Sequence, residues 1–100
     1  MEKLDLLEIA QDIAEFLGHT FIGTEHVLIA YYLAYNPDIA KVLIKRVKKR
    51  IGVGTPTKLD IIDDRTRAVT NIFKNSHNAN EMILSIITNP YSNGALYLRR

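Results

Sequence analysis

The sequence contains no cysteine and no tryptophan, and only three of its 100 residues are proline. The lack of cysteine excludes disulfides and thiolate metal sites and fits a reducing compartment. No apolar run approaches the roughly 18 residues that a membrane span needs, so we expect no membrane contact. The net charge is only +2, which is too small to indicate nucleic acid as a partner by itself.

Enzyme signatures are also missing from the sequence. It contains no Ser-His-Asp set, no nucleophile elbow and no Gly-rich phosphate loop with a lysine. The three histidines lack the spacing of a zinc-protease helix, so we predict neither a metal nor another cofactor. The chain is too short for an ATPase module, and its apolar fraction of 47% indicates one folded domain. We therefore predict a binding domain without enzymatic activity.

Hydrophobic periodicity predicts an all-α fold of about six helices. The first three should cover residues 4–17, 24–35 and 37–51, the fourth should begin at a cap of Asp63 or Asp64, the fifth should cover residues 81–88 after a cap at Asn80, and the last should cover residues 95–100. Gly, Pro and Thr between residues 53 and 59 are typical of a linker. Residues 59–62 fit either a short strand or packing against the helices.

The stretch GHTFIGTEHVL, residues 18–28, predicts the end of one helix and the start of the next. Gly18 fits a position just past a helix end, where a positive φ costs glycine little. Thr24 fits an N-cap, and Glu25 lies in a first turn, where unpaired amides favour negative charge. Residues 27–35 carry no charge, which indicates that the second helix is the buried one.

This stretch resembles the amino-terminal domain of the Clp unfoldases, the Clp repeat domain of the ClpA/ClpC type. The family pattern joins an alanine-containing helix, Gly-His, an aliphatic residue, Gly-Thr-Glu-His and a leucine-rich helix. The matching positions are Gly18, His19, Ile22, Gly23, Thr24, Glu25, His26 and Leu28. The resemblance implies two helical repeats related by a pseudo-twofold axis.

The two halves of the chain also resemble each other, independently of that motif. Ala10 precedes His19 by the same spacing as Ala68 precedes His77, and an Asn-Pro pair follows in each half. A duplicated helical unit is the simplest account. We predict a single domain over residues 1–100, with repeat one at about 3–52, a linker at about 53–62 and a degenerate repeat two at about 63–100.

The resemblance implies a partner site at the start of the second helix. In family domains of this type the motif glutamate can contact a guanidinium, and in some bacterial members each repeat holds a phosphoarginine degron. Carried onto this sequence, the first pocket involves Thr24 and Glu25, and the second, with a shortened turn, involves Glu81. Alternatively, Glu25 only stabilises its own helix. His19 and His77 are expected to satisfy last-turn carbonyls with their rings.

The third predicted helix is basic. Between residues 41 and 50 it carries Lys41, Lys45, Arg46, Lys48, Lys49 and Arg50 and no acidic residue. This is either a solvated face or a docking patch for an acidic adaptor, the unfoldase body or nucleic acid. Nucleic acid is the less expected partner, because no aromatic residue interleaves these charges. The apolar residues of this helix, which include Val42 and Leu43, are predicted to lie along one stripe.

The resemblance implies a substrate- or adaptor-binding domain of a Clp-type ATP-dependent unfoldase–protease system. Such a domain would be an excised N-terminal module or a stand-alone relative, with any ATPase activity in a parent chain. Its partners would be protein substrates, adaptor proteins and Clp subunits, in the cytoplasm or the plastid stroma. Two alternatives remain open: a basic helical nucleic-acid-binding domain, and a stand-alone structural module that docks on the Clp protease.

Overall fold

A computed structural model of the protein describes residues 1–51 and 64–99, with side chains omitted for 49–51 and 64. Every regular element in these ranges is a helix. The helices are α1 (Lys3–Phe16), α2 (Thr24–Tyr35), α3 (Pro37–Ile51), α4 (Asp64–Asn75), α5 (Ala79–Ile87) and α6 (Asn93–Leu98). The prediction of an all-α fold of about six helices is confirmed. The predicted linker and the alternatives for residues 59–62 fall outside the described residues.

Helix α2 is the centre of the fold, because each of the other five helices packs against it. All seven residues from Thr24 to Ala30 are buried. The uncharged run that begins at Val27 has no polar side that would favour exposure. The prediction of a buried second helix is confirmed for this part. It is wrong for the last turn, where Leu33 is 43% and Tyr35 58% exposed. None of the described helices combines the length and the apolarity that crossing a bilayer requires.

The hydrophobic core around α2 draws on both halves of the chain. Its largest fully buried apolar side chains are Leu6 from α1, Leu28 and Ile29 from α2, Leu43 from α3, and Met82 and Ile86 from α5. Burying a side chain of this size contributes about 1.5–3 kcal/mol. Helices of both halves thus contact α2 and share one hydrophobic core.

Two of the predicted helix boundaries are confirmed, whereas the predicted N-cap at Thr24 is wrong. Gly18 has a φ of +74° just after α1, and Pro37 is the first residue of α3. Thr24, however, is not an N-cap. That position belongs to Gly23, whose backbone is extended, and Thr24 is the first residue of α2. The reason is tertiary, because the Thr24 hydroxyl bonds to another helix, as described below.

Helices α5 and α6 begin two residues earlier than predicted. The cap of α5 is Asn78, whose Oδ1 accepts the Glu81 amide N–H at 2.9 Å, whereas the predicted cap Asn80 lies in the first turn. The cap of α6 is Ser92, whose hydroxyl accepts the Ala95 amide N–H at 3.2 Å. Two asparagines two residues apart both suit a cap, and only the fold selects between them.

The choice of Asn78 as cap can be tested by mutation. Asn78→Ala removes the acceptor of an orphan amide and should lower the free energy of unfolding by about 1 kcal/mol. The matched control Asn80→Ala, two residues later in the chain, should change the free energy of unfolding by less than about 0.5 kcal/mol. Urea denaturation followed by circular dichroism measures both. An equal or larger loss for the Asn80 variant would contradict this assignment.

Two cations tie the first half of the chain to helix ends in the second half. Lys3 Nζ donates to the carbonyl oxygens of Phe73 and Ser76, each at 2.8 Å, and lies 4.4 Å from the centre of the Phe73 ring. Arg46 Nη1 donates to the carbonyls of Tyr97 at 2.7 Å and Leu98 at 3.2 Å. Both cations satisfy carbonyls at a helix C-terminus, where positive charge is favoured. Arg46, predicted in a docking patch, therefore has a task inside the fold.

Candidate functional site

The turn between α1 and α2 is held by hydrogen bonds that involve two histidines. The Gly23 amide N–H donates to His26 Nδ1 at 2.8 Å, and His26 Nε2 lies 2.7 Å from His19 Nδ1. Because His26 Nδ1 accepts, the ring proton is on Nε2 and is donated to His19 Nδ1. The proton of neutral His19 is then on its own Nε2. The Gly23 amide thus fixes the tautomer of His26, and His26 fixes the tautomer of His19.

Both imidazoles of this turn are held neutral at pH 7. Burial lowers the pKa of His26 from 6.5 to about 3, with smaller contributions from His19 and the positive charge of Arg65. Partial burial, followed by Arg65, also lowers the pKa of His19. The prediction that the His19 ring satisfies last-turn carbonyls is wrong. Its backbone N–H bonds to the Ala14 carbonyl at 2.8 Å, while its ring meets His26.

An aromatic and cationic group covers the same turn. The rings of His19 and Phe21 stack with centroids 5.3 Å apart, and the guanidinium carbon of Arg65 lies 3.4 Å from the Phe21 ring centre. Arg65 comes from α4, so this cation–π contact joins the two halves of the chain at the motif. Sequence reasoning missed it, because nothing local to Phe21 or Arg65 indicates the other as a neighbour.

Thr24 connects the start of α2 with α6. Its hydroxyl oxygen accepts the Gly94 amide N–H at 2.8 Å, and only 7% of the residue is exposed. A Cβ at Gly94 would lie 2.8 Å from Cγ2 of Ile86 and 3.0 Å from the Thr24 carbonyl oxygen. Glycine at 94 therefore allows α6 to approach α2 closely enough for this bond.

Glu25 lies inside the protein, with 3% of its surface exposed. Its carboxylate folds back against Gly23, where an added Cβ would lie 2.6 Å from the Glu25 Cδ. Glycine at 23 thus makes room for this carboxylate. In this arrangement Glu25 does not present its carboxylate to a ligand, and its binding role stays a prediction.

Glu81, the second predicted pocket acid, is not equivalent to Glu25. It is the third residue of α5 rather than the second of its helix, and 43% of its side chain is exposed. Its Oε1 lies 3.1 Å from His77 Nδ1, and this hydrogen bond is the main reason for the lowered pKa of Glu81. The prediction that the His77 ring satisfies last-turn carbonyls is therefore also wrong.

An open cleft of about 280 Å³ lies beside Thr24, between α4 and the loop that leads to α6. It is lined by Thr24, Arg65, Ala68, Ile72, Asn89, Tyr91, Ser92 and Asn93. Tyr91 is 88% exposed. Small apolar side chains and several hydrogen-bonding groups meet here, a combination that suits binding of a peptide segment. Sequence reasoning found only Thr24, because the loop before α6 was predicted as a plain connection.

The described residues contain no group of three or more His, Asp or Glu side chains placed to hold a metal ion. No family model, curated protein or solved structure matches this chain. The resemblance to the Clp repeat therefore depends on the Gly-Thr-Glu-His stretch and on the likeness between the halves.

Proposed function

We propose that this chain is a substrate- or adaptor-binding domain of a Clp-type ATP-dependent unfoldase–protease system. The observation that carries the proposal is the use of the whole Gly-Thr-Glu-His motif in one turn. Gly23 makes room for a buried carboxylate, Thr24 holds α6, and His26 accepts the Gly23 amide. These structural roles of Gly23, Thr24 and His26 support the proposal that the motif belongs to a shared fold.

The partner-binding site that we propose is the cleft beside Thr24. The exposed ring of Tyr91 offers a large contact area with a hydroxyl at its edge. The side-chain amides of Asn89 and Asn93 offer hydrogen bonds to a peptide backbone. The domain itself would bind without catalysing a reaction, and ATP hydrolysis would belong to the parent machine in the cytoplasm or the plastid stroma.

The proposed partners are protein substrates, adaptor proteins and Clp subunits, with arginine-phosphorylated segments among the substrates. Glu81 is the more accessible of the two predicted acids for a guanidinium, because 43% of its side chain is exposed whereas Glu25 is buried. Glu25 could meet such a group only after its side chain leaves the interior. We therefore propose Glu81, and not Glu25, as the first contact of the degron's guanidinium.

The proposal is tested by capture of partners from a lysate of the native cell, followed by mass spectrometry. The tagged protein should retain Clp unfoldase or protease subunits, or their adaptors. Tyr91→Ala should reduce this capture by about tenfold, as for an aromatic residue central to an interface. The matched control is Tyr35→Ala, an exposed tyrosine at the opposite end of α2, which should leave capture unchanged.

Two results would count against this reading. If the intact protein captures no Clp subunit and no adaptor, the function proposed here is wrong. If capture is intact but equally strong with Tyr91→Ala, the partner binds elsewhere and the cleft is not the site. Circular dichroism of both tyrosine variants checks that they are folded.

A further inference from the structure

A second concave surface lies on a different part of the molecule, between α3 and the end of α6. This groove has a volume of about 330 Å³ and is lined by Asp38, Ile39, Val42, Leu43, Arg46 and Leu98. Val42, which lies on the apolar stripe predicted for this helix, is 44% exposed. Among the described residues, this part of α3 is left partly uncovered. An aliphatic surface is thereby open to a partner.

The groove is preformed rather than loosely bounded. Arg46 donates hydrogen bonds to the carbonyls of both Tyr97 and Leu98, which fixes the end of α6 against α3. These charge-assisted bonds use the free carbonyls of a helix end. A partner entering the groove would therefore not have to order its walls first.

Two positive charges lie next to one edge of this groove. Lys41 and Lys45 are exposed, and their spacing of four residues places them on one stripe of α3, the lysine stripe, whereas Lys48 Nζ lies over the Phe16 ring of α1, 5.7 Å from its centre. Lys45 follows Val42 by three residues, so the two are neighbours on the helix surface. The groove therefore combines an aliphatic floor with a cationic edge.

We infer that the groove between α3 and α6 docks an acidic amphipathic segment of a protein partner. Apolar side chains of that segment would cover Val42 and Leu98, and its carboxylates would face the lysine stripe. This inference rests on the proposed function, because it names the chemistry of a protein partner, but it uses a surface separate from the cleft beside Thr24. Opposite charge supplies orientation and a faster encounter.

Nucleic acid fits this surface less well. None of the six groove-lining residues is aromatic, so bases would find no ring on which to stack. Asp38 at the start of α3 also places a negative charge in the groove, where a phosphate backbone would be repelled. An acidic helix can place an apolar or basic residue at that end, whereas a nucleic acid strand carries a phosphate at every step.

The test uses two designed helical peptides labelled with fluorescein. Both carry leucines at helical i, i+3, i+4 spacing, with glutamates on the remaining face of one and lysines on that of the other. In fluorescence anisotropy the leucine–glutamate peptide should bind the intact protein about tenfold or more tightly than the leucine–lysine peptide. Amide resonances of Val42 and Leu98, and not that of Tyr91, should shift on titration.

Variants of exposed residues connect this binding to the groove. Val42→Asp removes apolar contact, and the double change Lys41→Glu with Lys45→Glu reverses the stripe. Each should weaken the leucine–glutamate peptide by about tenfold, and the double variant should gain affinity for the leucine–lysine peptide. The control Lys74→Glu changes an exposed lysine of α4 and should leave binding unchanged.

Equal binding of the two peptides, or an equal loss with Lys74→Glu, would overturn the inference. So would tighter binding of an oligo(dT) probe that depends on the same lysines, since the surface would then be a nucleic-acid site. The result is separable from that of the proposed function. If the groove does not bind the acidic peptide, Tyr91-dependent capture of Clp partners can still be observed. If the proposed function is wrong, the acidic peptide can still bind although no Clp partner is captured.

Discussion

At pH 4 the free energy of unfolding should be about 3 kcal/mol lower than at pH 7 because of His26 alone. Burial holds the pKa of His26 at about 3 in the folded protein, against an ordinary value of 6.5 for histidine. Above pH 6.5 neither state binds this proton, and the full stability is present. As the pH falls below 6.5 the unfolded chain takes up the proton while the folded chain does not, so stability is lost progressively until about pH 3.

Urea denaturation at a series of pH values measures this loss, and His26→Asn isolates its source. Asparagine keeps an acceptor near the position of Nδ1 for the Gly23 amide but does not titrate. Its loss of stability between pH 7 and pH 4 should be smaller than that of the native protein by about 3 kcal/mol. Asn80→Ala, which changes an exposed side chain of α5 that does not titrate, should retain the native dependence. Parallel curves for the native and His26 proteins would refute the assignment.

Replacing Gly94 should destabilise the protein in proportion to the size of the new side chain. A Cβ at this position already meets Cγ2 of Ile86 at 2.8 Å and Cδ1 of Leu28 at 3.0 Å. For Gly94→Ala this crowding is partly offset by roughly 0.5–1 kcal/mol of helix propensity. For Gly94→Leu no such offset is sufficient, and we expect a loss of about 3 kcal/mol or more, as for an overpacked core.

The control for Gly94 is the other glycine with a clear conformational role, Gly18. No atom lies within 4 Å of a Cβ built at Gly18, but its φ is +74°. Alanine and leucine at 18 should therefore cost similar amounts, about 1–2 kcal/mol each, from the backbone alone. Thermal or urea unfolding of the four variants measures these losses in the free energy of unfolding. A loss at position 94 that does not grow from alanine to leucine would show that α6 simply moves away.

The sequence predicts the helices well because their signals are local. Gly18 permits the positive φ that follows α1, Pro37 fixes its own φ at the start of α3, and helical periodicity is visible within a few turns of the chain. The caps are harder. Asn78 and Asn80 carry the same acceptor, and the Thr24 hydroxyl is taken by the amide of Gly94, a residue in the other half of the chain. A competing tertiary bond of this kind leaves no trace in the local sequence.

The candidate site is less predictable than the fold for the same reason. The motif indicates where α2 begins, but the cleft beside it is completed by Arg65 and Tyr91 from α4 and a distant loop. A charge count also cannot separate Arg46, which holds the end of α6, from Lys45, which is exposed. Glu25 is likewise buried because Gly23, which has no side chain, leaves room for the Glu25 carboxylate.

The shared core has a consequence for how the chain could be divided. Helix α2 belongs to the first half, yet α5 and α6 of the second half cover it. Because both parts of this core belong to one chain, their encounter does not depend on the protein concentration. A fragment ending after α3 would need a second fragment to cover α2, and its stability would then follow mass action. Two separate fragments would dissociate on dilution. In one chain, each half is held near the other at a high and constant effective concentration.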